Sequence, residues 1–183
     1  MAELGTFSRH PGDVAPPFAL PDTDGRTVSI DQFSDRPFLL VVFWCNHCPY
    51  VQAWESRMVA IGKRYGPRGV GIVLINANDG VAYPDDRPER MAERAKAKGY
   101  PFPYLRDESQ SVARAYGALV TPHAMLFGPD RKLLFQGRID DNHQDPAKVR
   151  HRYLEEALDA ALSGRPVPTP ELPVLGCSVK WRS

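Results

Sequence analysis

Two cysteines, Cys45 and Cys48, lie where the sequence predicts that a buried strand passes into a helix. Residues 38–43 form an apolar run rich in β-branched and aromatic side chains, which is typical of a buried strand. Over residues 48–65, apolar residues recur every three or four positions, which predicts an amphipathic helix. Unpaired N–H groups and the dipole at a helix start favour an anion, and the thiolate is the reactive form of cysteine. The spacing therefore predicts a reversible thiol–disulfide site.

A C-x-x-C pair is also typical of half a zinc site, which needs two further cysteine or histidine ligands at matching spacing. The third cysteine, Cys177, and the other histidines of the chain show no such spacing. Redox chemistry is therefore the favoured interpretation, and we expect no metal. A zinc-binding module without catalytic activity and a pair of inert core cysteines stay as alternatives.

Length and charge limit the class of protein. At 183 residues, the chain is long enough for one domain with a full core. The net charge of +1, with both signs interspersed, predicts no binding to nucleic acid or to an anionic membrane. No run approaches the roughly 18 apolar residues of a membrane span, and the start of the chain lacks the apolar centre of a secretory signal. Because three cysteines cannot build a secreted disulfide framework, we expect a cytoplasmic protein.

Beyond the cysteine site, the apolar periodicity predicts short strands that alternate with helices. The turn signal Asp24-Gly25 joins two short strands into an N-terminal β-hairpin. A strand, a helix and a strand in that order pair in parallel through a right-handed crossover. We therefore expect an α/β fold with three layers, α/β/α, in which helices cover both faces of a central mixed sheet. The further predicted elements are strands or extended segments at 70–75, 101–105, 124–127 and 132–136 and helices at 88–98, 109–116 and 146–163.

We divide the chain into an N-terminal arm (1–16), one domain (17–164) and a C-terminal tail (165–183). The tail carries four prolines before residue 177 and no helical period, so we expect it to be extended. At ~3.1 Å per residue, twelve such residues span ~37 Å. A domain of this size has a radius of gyration of only ~16 Å. The tail can therefore reach the cysteine site, and we expect it to dock on the domain.

The order of strand, C-x-x-C, helix and a later Thr121-Pro122 before a strand hairpin resembles the thioredoxin fold. The resemblance implies that Cys45 attacks a substrate disulfide and that Cys48 resolves the mixed disulfide. It also implies a cis peptide bond before Pro122. Trp44, Thr121 and Pro122 would then contact the substrate, with the Thr121–Pro122 backbone pairing with a substrate strand. An ordinary trans proline at the start of a strand is the alternative.

His47 stands directly before the second cysteine, as a histidine does in oxidising relatives of the isomerase and periplasmic-oxidase type. A histidine at this position can donate a hydrogen bond or offer positive charge to the Cys45 thiolate, which lowers the pKa of Cys45. A stabilised thiolate makes the disulfide more oxidising than that of thioredoxin. A solvated loop histidine without a role is the alternative.

Longer motifs extend the resemblance over nearly the whole chain. The hairpin resembles the start of the domain in the alkyl-hydroperoxide-reductase/thiol-specific-antioxidant (AhpC/TSA) superfamily. The other motifs resemble a bacterial family of uncharacterised thioredoxin-like proteins. This resemblance implies a cytosolic thioredoxin-like domain without an organic cofactor, since the electrons reside in the disulfide. The expected partners are protein or small-molecule thiols and disulfides, and an electron donor such as a thioredoxin reductase or glutathione. The motifs are Phe18–Gly25, Cys45–Val51, Asn76–Asp79, Tyr83-Pro84, Gly99–Leu105, Ala115–Ala118 and Gly176–Trp181.

The chain departs from the patterns of the families that it resembles at several positions. Peroxiredoxins carry Pro-x-x-x-Thr-x-x-Cys, and here Phe38 and Val42 occupy the proline and threonine positions. A peroxide-reducing antioxidant enzyme is therefore the less favoured enzymatic alternative. The buried acid of thioredoxin is replaced by Leu39, so His47 or His123 becomes the candidate proton carrier.

Two residues complete the set of accessory candidates. Asn46 lies between the cysteines, and Cys177 lies in the tail. Cys177 is either an inert thiol or a third redox thiol that the tail carries to the Cys45–Cys48 edge.

Overall fold

A computed structural model describes residues 6–183, so the first five residues of the predicted arm lie outside the described part. The predicted hairpin is present, since strands β1 (Ala19–Pro21) and β2 (Thr27–Ser29) pair antiparallel. Gly25 in the connecting turn has φ 80°, a left-handed conformation that glycine adopts without a steric penalty. The Asp24-Gly25 turn signal thus has a direct backbone cause.

Five strands form the central sheet, in the order β5-β4-β3-β7-β8. Strands β3, β4 and β5 are parallel, whereas β7 runs antiparallel to β3, and β8 to β7. Helices pack on both faces, so the predicted three-layer α/β/α thioredoxin fold is confirmed. The elements that follow the hairpin are β3 (Phe38–Phe43), α1 (Pro49–Tyr65), β4 (Val70–Asn76), α2 (Pro88–Lys98), β5 (Tyr104–Arg106), α3 (Ser111–Tyr116), β6 (Val120–Thr121), β7 (His123–Phe127), β8 (Leu133–Gly137), α4 (Tyr153–Leu162) and β9 (Cys177–Ser178).

Strand β3 is buried on both faces, which explains why its sequence is continuously apolar instead of alternating. Leu40 and Val42 belong to the core cluster on one face, together with Trp54 of α1. Leu39 belongs to the cluster on the other face, together with Tyr116 of α3. Burying a side chain of this size stabilises the fold by about 1.5–3 kcal/mol. A strand held on both faces is a rigid support for the cysteines that follow it.

The final helix is shorter than predicted. Instead of one helix over 146–163, the chain forms a 3-10 turn at Pro146–Lys148 and then α4. The Arg150 N–H donates to the Asp141 carboxylate (2.9 Å), and the Asp141 N–H donates to the His151 carbonyl (3.1 Å). Because these groups pair with Asp141, residues 149–152 cannot continue a helix. Among the helices of residues 6–183, none is both long and apolar enough to cross a membrane.

Both ends of the described chain lie against the domain. In the arm, the Gly12 N–H donates to the Leu133 carbonyl at 2.9 Å. In the tail, the Gln136 N–H donates to the Pro170 carbonyl at 2.9 Å, and strand β9 pairs antiparallel with β6. The tail therefore passes from the β8 edge of the sheet to β6, next to the start of β7.

Candidate active site

Cys45 and Cys48 lie at the junction between β3 and α1, where the sequence places them. Cys48 is the N-cap residue of α1, and Pro49 follows at the first helical position, where its missing N–H costs little. Both sulfurs approach Thr121: Cys45 Sγ lies 3.1 Å from Thr121 Oγ1, and Cys48 Sγ donates to the Thr121 carbonyl oxygen at 3.3 Å. The Thr121–Pro122 peptide bond is cis. The fold thus brings together the cysteine pair and the Thr-Pro dipeptide, which are more than 70 residues apart in sequence.

The tail covers this pair. Cys45 and Cys48 are both 0% exposed, whereas Cys177 is partly exposed. In the β6–β9 pairing, Cys177 stands opposite Thr121. The backbone edge on which we expected a substrate strand to pair is therefore occupied by the chain's own tail.

The three thiols form one electrostatic group. The pKa of Cys48 is lowered to about 5, because the Cys45 thiol donates a hydrogen bond to its sulfur and because the Cys177 thiol and the N–H groups of Val51 and Cys177 stabilise the anion against the effect of burial. The pKa of Cys45 is raised, because Cys45 gives that hydrogen bond, is buried and lies near the Asp86 carboxylate. Burial and the contact with Cys48 raise the pKa of Cys177 to about 12. The two thiols thus compete for one negative charge: the contacts of Cys48 lower its pKa, whereas the Thr121 hydroxyl favours the Cys45 thiolate and the Cys48 thiol can donate to the Thr121 carbonyl.

Asp86 is a site residue that the sequence analysis missed. Its side chain is fully buried, and four N–H donors converge on its two oxygens. Oδ1 accepts from the Asn46 backbone (2.6 Å) and from Asn76 Nδ2 (3.0 Å), while Oδ2 accepts from Asn78 Nδ2 (3.0 Å) and from His47 Nδ1. Such a donor set suits an ionised carboxylate, which only accepts hydrogen bonds. Asn46, an accessory candidate, thus acts in the site by orienting Asp86.

His47 connects this buried carboxylate to the surface. Its side chain is 23% exposed, and its ring stacks on Tyr83 with a centroid distance of 5.2 Å. Since His47 Nδ1 faces Asp86, it carries the hydrogen of that bond. His47 therefore bonds Asp86 instead of donating to a Cys45 thiolate, which corrects our expectation. Polar atoms of His47, Asp86 and Cys45 lie within 4.8 Å of one another, a separation that one bridging water spans for proton exchange with Cys45.

The same three residues could also offer ligand atoms to a metal ion. However, the oxygens of Asp86 already accept four hydrogen bonds, and a metal would displace some of them. A structural zinc site also requires a fourth ligand. The chemistry of this donor set favours proton transfer over metal binding.

Trp44 does not lie where a substrate could contact it, which corrects the prediction made for this residue. Its side chain is 0% exposed, and its indole Nε1–H donates to the Tyr100 hydroxyl at 3.1 Å. That hydroxyl donates in turn to Glu55 at 2.6 Å. Trp44 therefore belongs to the support beneath the cysteine pair.

His123 also lies away from the cysteines. In strand β7 it alternates with Ala124, which packs in the core cluster that contains both cysteines. His123 is fully buried, its Nε2 lies 3.1 Å from Gln136 Oε1, and burial lowers its pKa to about 4. A neutral histidine on the opposite face cannot serve as the proton carrier for Cys45.

A signal for Asp86 was present in the sequence but was too weak to select it. The polar loop after β4 leaves the carboxyl end of a parallel strand, where sites form in α/β sheets. That loop also contains Asp79 and Asp85, and no local pattern separates them from Asp86. Only the folded loop shows that Asp86 is fully buried, whereas Asp79 is partly exposed and Asp85 is exposed.

A dithiol at a helix N-terminus beside a cis-proline, in a mixed sheet between helices, defines a thioredoxin-like protein. Residues 11–136 match the model of the AhpC/TSA family, and the chain belongs to that family. This finding agrees with the resemblance carried by the hairpin and the cysteine motif.

The chain is similar to three further proteins. The structure of an uncharacterized conserved protein from Geobacillus kaustophilus is 41% identical, with a TM-score of 0.91 over 98% of this chain and 95% of that one. A Mycobacterium tuberculosis protein whose name assigns it to the peroxiredoxins is 33% identical over 110 residues, which is 59% of this chain and 64% of that protein. The thiol-disulfide oxidoreductase ResA of Halalkalibacterium halodurans is 28% identical over 115 residues, 63% of this chain and 61% of ResA. The chain thus spans less than two thirds of these two curated relatives.

Proposed function

We propose that the protein is a thiol–disulfide oxidoreductase in which Cys45 and Cys48 alternate between a dithiol and a disulfide. The observation that carries this proposal is the convergence of both sulfurs on Thr121, directly before Pro122. The substrates are disulfides or thiols of proteins or small molecules, and the electron donor is a thioredoxin reductase or glutathione. No further cofactor is required, because the disulfide itself stores the electrons. We place the reaction in the cytoplasm, on the composition and cysteine count of the chain.

The reducing direction consists of two exchanges. One cysteine thiolate attacks the substrate disulfide, forms a mixed disulfide and releases the first substrate thiol. The other cysteine then attacks its neighbour's sulfur, closes the Cys45–Cys48 bond and releases the second substrate thiol. Two electrons pass from the dithiol to the substrate, and the two protons end on the substrate thiols.

The lowered pKa of Cys48 favours it as the first attacking sulfur once a disulfide reaches the pair. Cys45 must then lose its proton before it can close the ring. The His47–Asp86 pair lies beside Cys45 and is the proton acceptor for this step. This order of attack is the reverse of the order that the thioredoxin resemblance implies.

Peroxide reduction is the second candidate, since the family includes proteins named as peroxiredoxins. In that reaction Cys45 would attack the peroxide and become a sulfenate, which Cys48 or Cys177 would resolve. The raised pKa of Cys45 opposes this role, because a thiol is a weak nucleophile. Stopped-flow mixing of the reduced protein with peroxide tests it, and rapid formation of a Cys45 sulfenate would favour this candidate.

The test of the proposed function is equilibration of the protein in glutathione redox buffers, followed by peptide mapping of the disulfide. We expect a Cys45–Cys48 bridge with a potential above the value of about −270 mV that is typical of thioredoxin, because the Cys48 thiolate stabilises the reduced form. A Cys48→Ala variant is the control and cannot form the bridge. If no bridge forms at any redox poise, the proposal fails, and stoichiometric zinc in the purified protein would then favour the metal-binding alternative.

A further inference from the structure

Disulfide exchange requires access to the sulfur, and the cysteine pair lacks it. Cys45 and Cys48 are both 0% exposed, so an external thiol or disulfide cannot reach either sulfur while the tail is docked. Of the three cysteines of the chain, only Cys177 is partly exposed. Its thiol and N–H both act on the Cys48 sulfur. The tail thus places a partly exposed cysteine next to the buried pair.

The tail is held in this position by hydrogen bonds on both sides of Cys177. After it, the Lys180 N–H donates to Asn78 Oδ1 at 2.8 Å, and the Lys180 carbonyl accepts from the Asp79 N–H and from Gln110 Nε2, each at 2.9 Å. Before it, the Leu172 N–H donates to the Gln136 carbonyl, and Leu172 itself is buried. Removing the tail would break these bonds together. Access through Cys177 needs no such rearrangement.

Gly176 sets how closely the tail approaches the site. A Cβ at this position would lie 2.2 Å from the Thr121 carbonyl oxygen and 2.8 Å from the Thr121 carbonyl carbon. Both atoms belong to the backbone before the cis-proline, so they cannot turn aside as a flexible side chain would. A glycine is therefore required for Cys177 to reach the Cys48 sulfur in this register.

We propose that Cys177 is a third redox thiol, which exchanges a disulfide with Cys48 and so transfers electrons between the buried Cys45–Cys48 pair and external thiols. This inference rests on the proposed function and deepens it. It assigns to the tail a chemical role that the pair alone cannot perform while it is covered.

The exchange balances without an added oxidant. In the oxidised protein Cys48 carries no thiolate, so its contribution to the raised pKa of Cys177 is absent, and Lys180 favours the Cys177 thiolate. The Cys177 thiolate then attacks the Cys48 sulfur of the Cys45–Cys48 disulfide, so the Cys48–Cys177 bond forms and the Cys45–Cys48 bond breaks. Cys45 leaves as a thiolate and takes up a proton, which the adjacent His47–Asp86 pair can deliver, and the proton lost from Cys177 passes to solvent. An external thiol then attacks Cys177 and releases Cys48, and a second external thiol releases Cys177. In total, two external thiols become one disulfide and the Cys45–Cys48 pair becomes a dithiol.

The first experiment oxidises a folded Cys45→Ser variant of the full chain with glutathione disulfide and maps the products. Only Cys48 and Cys177 remain in this variant, and we expect them to form an intramolecular disulfide. Stable glutathione adducts on either cysteine without a Cys48–Cys177 bridge would overturn the inference. Adding Gly176→Ala to Cys45→Ser should lower the yield of the bridge. Adding Gly66→Ala to Cys45→Ser should leave the yield unchanged, since a Cβ on Gly66 meets nothing within 4 Å.

The second experiment needs no cysteine of the buried pair to be changed. A Cys177→Ser variant should still form the Cys45–Cys48 disulfide, but glutathione should reduce that disulfide at least about tenfold more slowly than in the wild type, because the intramolecular attacking thiol is lost. An unchanged or faster rate would show that the tail only covers the site, and it would overturn the inference while leaving the proposed function intact. Absence of the Cys45–Cys48 bridge from both proteins would overturn the proposed function instead.

Discussion

Cys45 and Cys48 are three residues apart, yet their sulfurs face opposite electrostatic environments. The Cys45 side contains the buried carboxylate of Asp86, whereas the Cys48 side contains a helix N-terminus and the N–H and thiol of Cys177. A nearby negative charge disfavours a thiolate, and hydrogen-bond donors favour one. The surroundings of each sulfur, and not the order of the motif, therefore shift the pKa values of the two cysteines in opposite directions.

The largest expected effect is the titration of the pair. In the reduced protein, thiolate absorbance at low pH should appear with a midpoint at about 5, the lowered pKa of Cys48, and not at its ordinary value of 9.0. Replacing Cys45 by alanine should raise this midpoint, because the main hydrogen-bond donor is lost. The control, Cys48→Ala, should remove the low-pH thiolate. If Cys48→Ala keeps that thiolate and Cys45→Ala loses it, then Cys45 and not Cys48 has the lowered pKa.

The same difference predicts a pH dependence of stability. The pKa of Cys48 is lower in the folded protein than the value of about 8.5 in an unfolded chain, so its thiolate stabilises the fold fully above the unfolded value. This stabilisation is lost as the pH falls through the folded value of about 5. The raised pKa of Cys45 acts in the other direction and lowers stability as the pH rises above the unfolded value. Urea unfolding between pH 5 and 8 should therefore show the reduced protein losing stability toward acid more steeply than the oxidised protein, and parallel curves would contradict this.

Asp86→Asn tests the Cys45 side directly. The amide retains one acceptor oxygen and turns an NH₂ group toward donors that the carboxylate satisfied, so we expect a loss of about 1–3 kcal/mol in the free energy of unfolding. The pKa of Cys45 should fall as well, because a negative charge near it is removed. Urea unfolding measures the first effect and thiolate absorbance the second. Asp85→Asn is a matched control, since Asp85 is adjacent and exposed, and an equal loss in both variants would contradict the role of Asp86.

His47→Gln tests proton transfer on the same side. Glutamine cannot accept the proton that we assign to the His47–Asp86 pair. Closure of the Cys45–Cys48 disulfide should therefore slow by about tenfold or more, a modest effect for a general base. Rapid-quench measurement of closure from a glutathione mixed disulfide gives this rate. His151→Gln, on an exposed histidine, should leave the rate unchanged. An unaltered rate in His47→Gln would show that His47 takes no part in proton transfer during disulfide closure.

The smallest effect concerns the anchoring of the tail. The Arg114 guanidinium lies 4.4 Å from the centre of the Trp181 ring, a cation–π contact worth about 0.5–1 kcal/mol at an exposed site. Trp181→Leu should therefore raise the alkylation rate of Cys48 slightly, because the tail leaves the site more often, while Trp181→Phe should change it less. Alkylation followed by peptide mapping measures this rate. Gly176→Ala, whose added Cβ would clash with the Thr121 backbone, should raise the alkylation rate of Cys48 more. An equal increase in Trp181→Leu would show that the end of the tail, and not the β6–β9 pairing, holds the tail in place.

Local sequence patterns predicted much of the framework correctly. Three patterns depend only on neighbours within a few residues: the apolar run of β3, the periodicity of α1 and the C-x-x-C spacing at their junction. The structure has the corresponding elements at nearly the predicted positions. The predicted helix over 146–163 was wrong in its first part. There Asp141 forms hydrogen bonds with the backbone of Arg150 and His151, which a helix would otherwise use.

The arrangement of the site depended on contacts that no local pattern encodes. Asp86 bonds the Asn46 N–H from 40 residues away, and Cys177 stands opposite Thr121 from 56 residues away. By itself, the sequence determined the fold class and the position of the dithiol, because periodicity and turn residues act locally. The tertiary structure alone decided that Asp86 and not its neighbours faces Cys45, that Cys177 lies beside Cys48 and that the tail covers the pair, because burial and electrostatic contact arise only when distant segments pack together.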